Sequence, residues 1–304
     1  MQNIDLSHFA PYESAYCPDA LLSEYAFSLC GGHCTGLFAV KDSEMLKDLV
    51  NDCIRAGVPY RVLGGMTNVL VSDSGYEGII LLNRKGMISQ TECPDGSVLL
   101  KADSGVNMAA FVKHCIQNAL SGMEWASGLP GTVGGAVYGN AGAFGADTAS
   151  VFDHGRFLDG SGRELLLGRD ELGFGYRTSF LKQGRNLILL EAVFRLQPGN
   201  KADIASAANM YLEKRKAGQP YNERSLGSVF KNPAGYSAGK LIQDAGLKGT
   251  AFGSAAVSLK HANFITTTKG VKSGDYRDLI THIASVVEEK YGVVLEPEIE
   301  FLGF

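Results

Sequence analysis

The chain has 304 residues, which suggests two or three domains and allows sizeable buried cores. Hydrophobic residues make up 45% and charged residues 20%, and the net charge of −4 leaves no basic excess for binding nucleic acid. No apolar run is long enough to span a membrane and the N-terminus lacks the pattern of a signal peptide, so we expect a cytoplasmic protein.

Strand and helix signals alternate in the first part of the chain, after a lead-in at residues 1–22 that shows no clear period. Asp42 offers N-cap chemistry to a run of apolar residues at helical spacing, and Gly57 ends this predicted helix. Residues 64–68 predict a glycine turn. Short apolar runs predict strands at 36–40, 60–63, 69–71 and 79–82. This order is typical of an α/β cofactor-binding lobe.

A second lobe is expected from residue 98 onwards. Asn107 can cap a helix, and the turn signal at 159–162 predicts a β-hairpin. Apolar runs predict strands at 98–102 and 187–196. The turn residues at 197–199 are interpreted as a domain boundary.

The last part of the chain has a different pattern. A helical period covers residues 201–215, Ser237 is expected to cap a short helix, and Ser273 is expected to cap a long one. Residues 295–301 predict a closing strand. Its period of two places three carboxylates on one face, those of Glu296, Glu298 and Glu300.

Glycine recurs throughout residues 129–145, at positions 131, 134, 135, 139, 142 and 145, with almost no charge between them. Glycine allows positive φ and a close approach of the backbone, and free peptide N–H groups can face phosphate oxygens or an aromatic edge. The stretch is therefore interpreted either as a backbone loop that supports a large flat cofactor or as tight turns in a β-rich fold. Composition alone does not separate the two.

The cysteines give no sign of a metal site. Cys53 and Cys115 fall on apolar helix faces and are predicted to be small core residues. Cys30, His33 and Cys34 lie close together in sequence, but no second pair of ligands follows them. We therefore expect no metal.

Four polar residues stand in distinctive contexts. Arg177 precedes a predicted strand and could pair with a carboxylate, although a single arginine is more often a surface residue. Ser228 lacks the surroundings of a hydrolase nucleophile but could donate a proton, or it could satisfy a turn. Glu298 and His261 could bind a ligand, or they could be a solvated edge carboxylate and a satisfied polar group at a strand entry.

Six motifs in the same order resemble those of the UDP-N-acetylenolpyruvoylglucosamine reductases. The resemblance covers the chain from about residue 31 to its end. The motifs are residues 127–136 with 140–142, 176–179, 227–233, 238–242, 260–265 and 295–299. Six motifs in order are far more specific than any one of them.

This resemblance implies an α+β fold, in which a two-lobed FAD-binding domain of the p-cresol-methylhydroxylase type precedes a smaller α+β substrate domain. It implies lobes at about 23–97 and 98–198 within a domain at 23–198, and a substrate domain at 199–304. The implied activity is that of a UDP-N-acetylmuramate dehydrogenase, a bacterial enzyme of peptidoglycan precursor synthesis. It uses FAD and NADPH to reduce the enolpyruvyl ether of UDP-N-acetylglucosamine. A cytoplasmic monomer, with neither nucleic acid nor membrane as partner, is expected.

The resemblance also implies roles for individual residues. Arg177 and Glu298 polarise the substrate carboxylate, on which negative charge develops, and Ser228 protonates the α carbon. Lys231, Asn232 and His261 match the surroundings of the sugar nucleotide. The implied FAD contacts are Gly64, Gly65, Thr67, Asn68, Gly131, Thr132, Gly134 and Gly135.

Several positions depart from the family pattern. Met66 stands in the diphosphate turn where the family has glycine, which bears on the tightness of FAD binding. The chain also resembles the subtype that lacks an extra tyrosine loop over the substrate. Two alternatives remain open from these residues: an oxidase of the same superfamily, and a non-catalytic relative that holds flavin poorly.

Overall fold

A computed structural model describes residues 6–184 and 186–304, with the side chains of all of these except residues 6 and 7. The strands are β1 (Tyr16–Pro18), β2 (Cys34–Val40), β3 (Tyr60–Leu63), β4 (Val69–Val71), β5 (Tyr76–Asn83), β6 (Ile88–Glu92), β7 (Val98–Asp103), β8 (Leu120–Ser121), β9 (Gly142–Ala143), β10 (Ala146–Asp147), β11 (Phe152–Leu158), β12 (Glu164–Gly168), β13 (Ile188–Pro198), β14 (Arg224–Ser228), β15 (Ala251–Phe252), β16 (Ala255–Val257), β17 (Phe264–Thr267) and β18 (Glu300–Leu302).

Helices are interspersed with these strands, so the fold is α+β as expected. The α-helices are α1 (Ser43–Ala56), α2 (Met108–Gln117), α3 (Val133–Tyr138), α4 (Lys201–Gly218), α5 (Ala238–Asp244) and α6 (Ser273–Tyr291). Short 3-10 helices lie at Leu6–Ala15, Leu22–Glu24, Glu124–Ala126, Thr148–Ser150 and Arg169–Leu172. None of the helices in the described residues is long and apolar enough to cross a membrane.

The chain forms two compact units. Unit 1 contains the residues up to Cys17 together with Gly36–Gly65 and Gly78–Lys214, and unit 2 contains Pro18–Thr35, Met66–Glu77 and Arg215–Phe304. These units interleave in sequence, whereas the predicted domains are consecutive. The last boundary between the units, at Lys214 and Arg215, also lies within helix α4 and not at residues 197–199. The consecutive domain boundaries stay a prediction.

In unit 1, the strands β12, β11, β13, β7 and β6 form an antiparallel sheet in that order. The predicted hairpin is confirmed, with Leu158 opposite Glu164. Helix α2 begins after Asn107, whose side chain accepts from the N–H of Ala109, as predicted. The core of this sheet includes the Phe111 and Phe194 rings, whose centroids lie 4.9 Å apart.

Unit 1 also contains the predicted strand–helix–strand segment. Helix α1 begins at the cap residue Asp42, whose side chain accepts from a backbone N–H, and ends at Gly57 with φ 63°. Strand β3 then pairs in parallel with β5, Tyr60 opposite Ile79. The residues interpreted as a lead-in include Phe9, which is buried and whose ring stacks on Phe38 at 5.2 Å. A single aromatic without a periodic neighbourhood gave no signal for this packing.

The glycine-rich stretch contains a short helix that neither interpretation anticipated. Residues 133–138 form the short helix α3, neither a loop nor a series of turns. Thr132 caps this helix because its side chain accepts from the N–H of Gly135 at 3.3 Å. Val133 and Val137 are fully buried. Burial of these valines and the threonine cap outweigh the low helix propensity of the glycines.

In unit 2, the strands β14, β17, β16 and β15 form an antiparallel sheet, and β4 pairs in parallel with β18. The predicted closing strand is too long, because only Glu300–Leu302 forms β18. Pro297 lacks an N–H and makes an isolated antiparallel bridge with Phe230. The core of this unit includes Phe230, Tyr276 and Ile283.

The predicted cap of α6 is wrong. Ser273 is the first residue of the helix, and its hydroxyl accepts from the N–H of Asp73 at 2.8 Å. The Asp73 carboxylate in turn accepts from the N–H of Ser273 at 3.0 Å. A residue two hundred positions earlier therefore supplies the capping carboxylate, which local sequence cannot reveal.

Candidate active site

Ser228 is the last residue of β14, and an irregularity in the sheet sets its position. Residues Ser225 and Ser228 both pair with β17, but the register shifts between them. Gly227, directly before Ser228, has φ 77°, which favours glycine. Such an irregularity changes the direction in which a strand presents its side chains. The Ser228 side chain is half-buried, so a ligand can reach it.

Glu298 lies on a segment that runs antiparallel to the residues after Ser228. The Glu298 N–H donates to the Val229 C=O at 2.7 Å, and the Lys231 N–H donates to the Glu296 C=O at 2.9 Å. These two bonds flank the bridge between Phe230 and Pro297. Two of the three predicted catalytic residues, Ser228 and Glu298, therefore lie on adjacent backbone segments of unit 2.

Asn68, a predicted FAD contact, is bonded to the Glu298 segment. Its side-chain N–H donates to the Glu298 C=O at 3.2 Å, and its own C=O accepts from the Glu300 N–H at 2.8 Å. Strand β4 begins at the next residue, Val69, which pairs with Glu300. The end of the predicted diphosphate turn and the Glu298 backbone are thus held together.

The three predicted substrate contacts also belong to unit 2, and each has a local partner. Lys231 pairs with the exposed carboxylate of Glu296. The Asn232 side-chain oxygen accepts from the Ala238 N–H at 3.0 Å, at the start of α5. His261 packs against the Phe264 ring at 4.8 Å, and its Nδ1 accepts from a backbone N–H.

The surroundings of His261 favour its neutral form. Burial lowers the pKa of His261, and the positive charge of Lys248 lowers it further. Since Nδ1 accepts from the Asn263 N–H, the ring proton is on Nε2, which is left as a donor. This residue can donate one hydrogen bond to a ligand at neutral pH.

Arg177, the third predicted catalytic residue, belongs to unit 1 and lies in a tight turn. The N–H groups of Gly175 and Thr178 donate to each other's C=O groups, at 3.0 and 3.3 Å. Arg177 has φ 57°, an uncommon conformation for a residue with a side chain. Its guanidinium carbon lies 5.4 Å from the centroid of the Tyr176 ring. Strain of this kind is found at functional positions.

Asn140 supports this turn, and the sequence analysis did not single it out. Its buried side chain donates to the Gly175 C=O at 2.9 Å and to the Asp147 carboxylate at 3.1 Å, and accepts from the Ala149 N–H at 2.9 Å. Its place in a motif of the family resemblance, at 140–142, was the available signal. Asn263, described below, was missed in the same way.

The glycines of unit 1 approach the rest of the unit closely. A Cβ on Gly64 would lie 2.4 Å from the Thr132 hydroxyl oxygen, and one on Gly134 would lie 3.0 Å from the Ser104 C=O. Gly131 has φ 106°. A side chain is therefore excluded at Gly64 and disfavoured at Gly131 and Gly134, three of the predicted FAD contacts.

The diphosphate turn has free donors. Among the described residues, no hydrogen bond runs from the backbone N–H groups of 64–67 to a protein acceptor, although the Gly64 C=O accepts from the Arg84 guanidinium at 3.0 Å. Consecutive free N–H groups suit anionic phosphate oxygens. Met66 has φ 48° and is buried, so the position where the family has glycine is in the left-handed region. These residues fit the diphosphate of FAD.

Two family profiles match this chain. The profile of the family described as "FAD binding domain" matches residues 35–168, and that of "UDP-N-acetylenolpyruvoylglucosamine reductase, C-terminal domain" matches residues 219–302. The fold and the first of these matches define a flavoprotein.

Relatives that match nearly the full length of this chain show to which family of flavoproteins it belongs. The UDP-N-acetylenolpyruvoylglucosamine reductase of Caldicellulosiruptor saccharolyticus is 40% identical over 95% of this chain and 92% of its own length. The enzyme of the same name from Lachnoclostridium phytofermentans is 36% identical over 98% of this chain and 96% of its own length. The crystal structure of the Thermus caldophilus enzyme aligns with a TM-score of 0.76 and 33% identity, over 93% of this chain and 97% of that one. The chain belongs to the UDP-N-acetylenolpyruvoylglucosamine reductase family, as the motifs indicated.

The close approach of Gly64 to Thr132 generates a first prediction. Replacing Gly64 with alanine forces the Thr132 side chain away from its capping position, and this should raise the dissociation constant of FAD by about tenfold or more. Gly139→Ala is the matched control, since the nearest atom to its Cβ lies at 3.7 Å. Titration of the apoprotein with FAD, followed by absorbance, measures both. Equal FAD affinity in the two variants would contradict this account of Gly64.

Met66 generates a second prediction. Met66→Gly relieves the left-handed backbone, a gain of about 1–2 kcal/mol, but removes a buried side chain worth about 2–5 kcal/mol. The variant should therefore unfold at a lower temperature, while it binds FAD as tightly as the unsubstituted protein or more tightly. Met66→Ala loses the same side chain without relieving the backbone, so it should be the less stable of the two by about 1 kcal/mol. Loss of FAD from Met66→Gly would show that the turn is misinterpreted.

Proposed function

We propose that this chain is a UDP-N-acetylmuramate dehydrogenase, which uses NADPH to reduce the enolpyruvyl ether of UDP-N-acetylglucosamine to UDP-N-acetylmuramate in peptidoglycan precursor synthesis. The main support is the family membership along nearly the whole chain. Bound FAD would supply hydride chemistry: it would accept a hydride from NADPH and deliver a hydride to the β carbon of the enolpyruvyl group, and a proton added at the α carbon would complete the reduction. The chain supplies binding, charge stabilisation and a proton.

We assign FAD binding to the backbone of two glycine-containing stretches. Close packing excludes side chains around Gly64 and Gly134, and consecutive N–H groups of the turn are free to donate. The assigned residues are Gly64, Gly65, Thr67, Asn68, Gly131, Thr132, Gly134 and Gly135.

The substrate carboxylate is assigned to Arg177 and Glu298. Negative charge that develops on this carboxylate during reduction is stabilised by a guanidinium and by a neutral acid that donates a hydrogen bond. The fixed turn around Arg177 and the backbone bonds around Glu298 support these roles, because preorganised groups need no rearrangement as the charge develops.

The proton for the α carbon is assigned to Ser228. A serine hydroxyl can donate a proton, and the half-buried position of Ser228 at the end of β14 supports this assignment. Lys231, Asn232 and His261 are assigned to the sugar nucleotide. We further propose that the enzyme is a cytoplasmic monomer, a location that suits the use of NADPH and a nucleotide sugar.

An anaerobic absorbance experiment in two steps tests the function. Oxidised flavin should bleach when NADPH is added and recover when the enolpyruvyl sugar nucleotide follows. Recovery only after oxygen is admitted would favour an oxidase instead. A protein that shows no flavin band, even after FAD is added, would favour a non-catalytic relative.

Ser228 generates a third prediction. Ser228→Ala should leave flavin reduction by NADPH unchanged and slow its reoxidation by the substrate by about 10²–10⁴-fold, since only reoxidation needs the proton. Ser225→Ala, on the same strand, is the control and should leave both rates unchanged. Stopped-flow absorbance measures the two steps separately. Normal reoxidation in Ser228→Ala would remove Ser228 from this role.

Arg177 and Glu298 generate a fourth prediction. Arg177→Ala and Glu298→Gln should each slow the reoxidation step, because both act on charge that develops only during substrate reduction. A reduction of about 10²-fold or more is expected for each in the same stopped-flow experiment. Damage confined to the NADPH step would refute the assignment.

A further inference from the structure

Asn263 is the buried polar residue that contacts the Ser228 segment most extensively. Its side-chain oxygen accepts from the Phe230 N–H at 3.0 Å, and its side-chain nitrogen donates to the Phe230 C=O at 2.8 Å. Its backbone C=O accepts from the Val229 N–H at 2.9 Å. The residue is 4% exposed. One asparagine thus holds two consecutive residues directly after Ser228.

The other edge of this segment explains why a side chain is needed. Phe230 faces Pro297 at a position where the flanking residues carry the hydrogen bonds, those from Glu298 to Val229 and from Lys231 to Glu296. At such a position the N–H and C=O of Phe230 point away from Pro297. They need partners on the opposite edge, and Phe230 is buried from water.

Strand β17 does not supply those partners from its backbone. It begins at Phe264, which pairs with Ser228, and the Asn263 amide takes the place of a further peptide group. A carboxamide has the donor and acceptor of a peptide, so it can continue the ladder by one residue. The Ser228 segment is therefore fixed on both edges.

We propose that Asn263 is a positioning residue, which holds residues 229–230 so that Ser228 and Glu298 keep the places from which they act on substrate. This proposal rests on the roles assigned to those two residues above. The link to Glu298 runs through Val229, whose N–H donates to Asn263 and whose C=O accepts from the Glu298 N–H.

Asn263 is not itself a ligand contact in this proposal, since its polar groups are used within the protein. The remaining one, its backbone N–H, donates to His261 Nδ1 at 3.2 Å. The same bond places the His261 ring, one of the predicted substrate contacts. Hydrogen bonds of Asn263 thus help to position Ser228, Glu298 and His261.

The test compares the two steps of turnover in Asn263→Leu and Asn263→Asp. Leucine removes both side-chain hydrogen bonds to Phe230, whereas aspartate keeps an acceptor for the Phe230 N–H. Asn263→Asp therefore provides the test if Asn263→Leu does not fold. The limiting rate of flavin reoxidation by the enolpyruvyl substrate should fall by about 10–100-fold, as expected for a small misplacement of reacting groups. The rate of reduction by NADPH should change by about twofold at most.

Val287→Ala is the control for general destabilisation. Val287 is fully buried in α6, in the same core as Phe230, and has no part in the proposed site. It should lower the unfolding temperature to a similar degree and leave both rates within about twofold. If Val287→Ala slows reoxidation as much as the Asn263 variants do, the positioning role is wrong.

A second comparison uses the Ser228→Ala background. Because Asn263 acts in part through Ser228, adding Asn263→Asp to Ser228→Ala should slow reoxidation by clearly less than the two single effects multiplied together, a non-additive result. Fully additive slowing would overturn the proposal, since it would place the effect of Asn263 elsewhere. If Ser228→Ala alone does not slow reoxidation, the proposed role of Ser228 fails, and the positioning role fails with it. Normal reoxidation in both Asn263 variants would overturn the positioning role alone.

Discussion

The backbone of Phe230 lies between two partners, and the arrangement of polar residues in unit 2 depends on how its peptide groups are satisfied. On one edge, the bonds on either side of Phe230 join it to the Glu298 segment; on the other, a side-chain amide completes the ladder. A buried peptide group without a partner costs about 1–3 kcal/mol, so the segment has little freedom to shift. The position of Ser228 follows from that constraint, and the proton transfer proposed for Ser228 would need such fixed geometry.

The backbone is also strained at three residues that are, or lie close to, predicted site residues. Met66, Asn140 and Arg177 have φ of 48°, 43° and 57°, in a region where residues other than glycine lose about 1–2 kcal/mol. Asparagine tolerates this conformation best, and three side-chain hydrogen bonds stabilise Asn140. Arg177 lies in the turn that the hydrogen bonds between Gly175 and Thr178 close. Strained backbone of this kind is often found at functional positions.

Sequence patterns predicted elements whose signals are local, and missed features that depend on distant residues. The prediction of helix α1 was correct because its apolar face lies within the helix and its two cap residues lie directly beside it. The motifs also identified the family, whereas the individual site residues stay predictions. The Asp73–Ser273 cap and the Asn263 amide could not be predicted, because each joins residues far apart in the chain. The shortening of the last strand follows from Pro297, a local signal that was available.

The interleaving of the units has a consequence for how the protein is made. Strand β4 leaves the ribosome long before β18, its parallel partner, and until then its backbone is an unpaired edge. The side chains of Cys30 and Leu70 must also wait for later residues, because they belong to the same hydrophobic core as residues of α6. Unit 2 therefore cannot complete its core until α6 and β18 have been synthesised, and this closure between distant segments is expected to be slow. A piece cut at residue 199 would lack part of that core, so the C-terminal region is an unsuitable fragment for separate study.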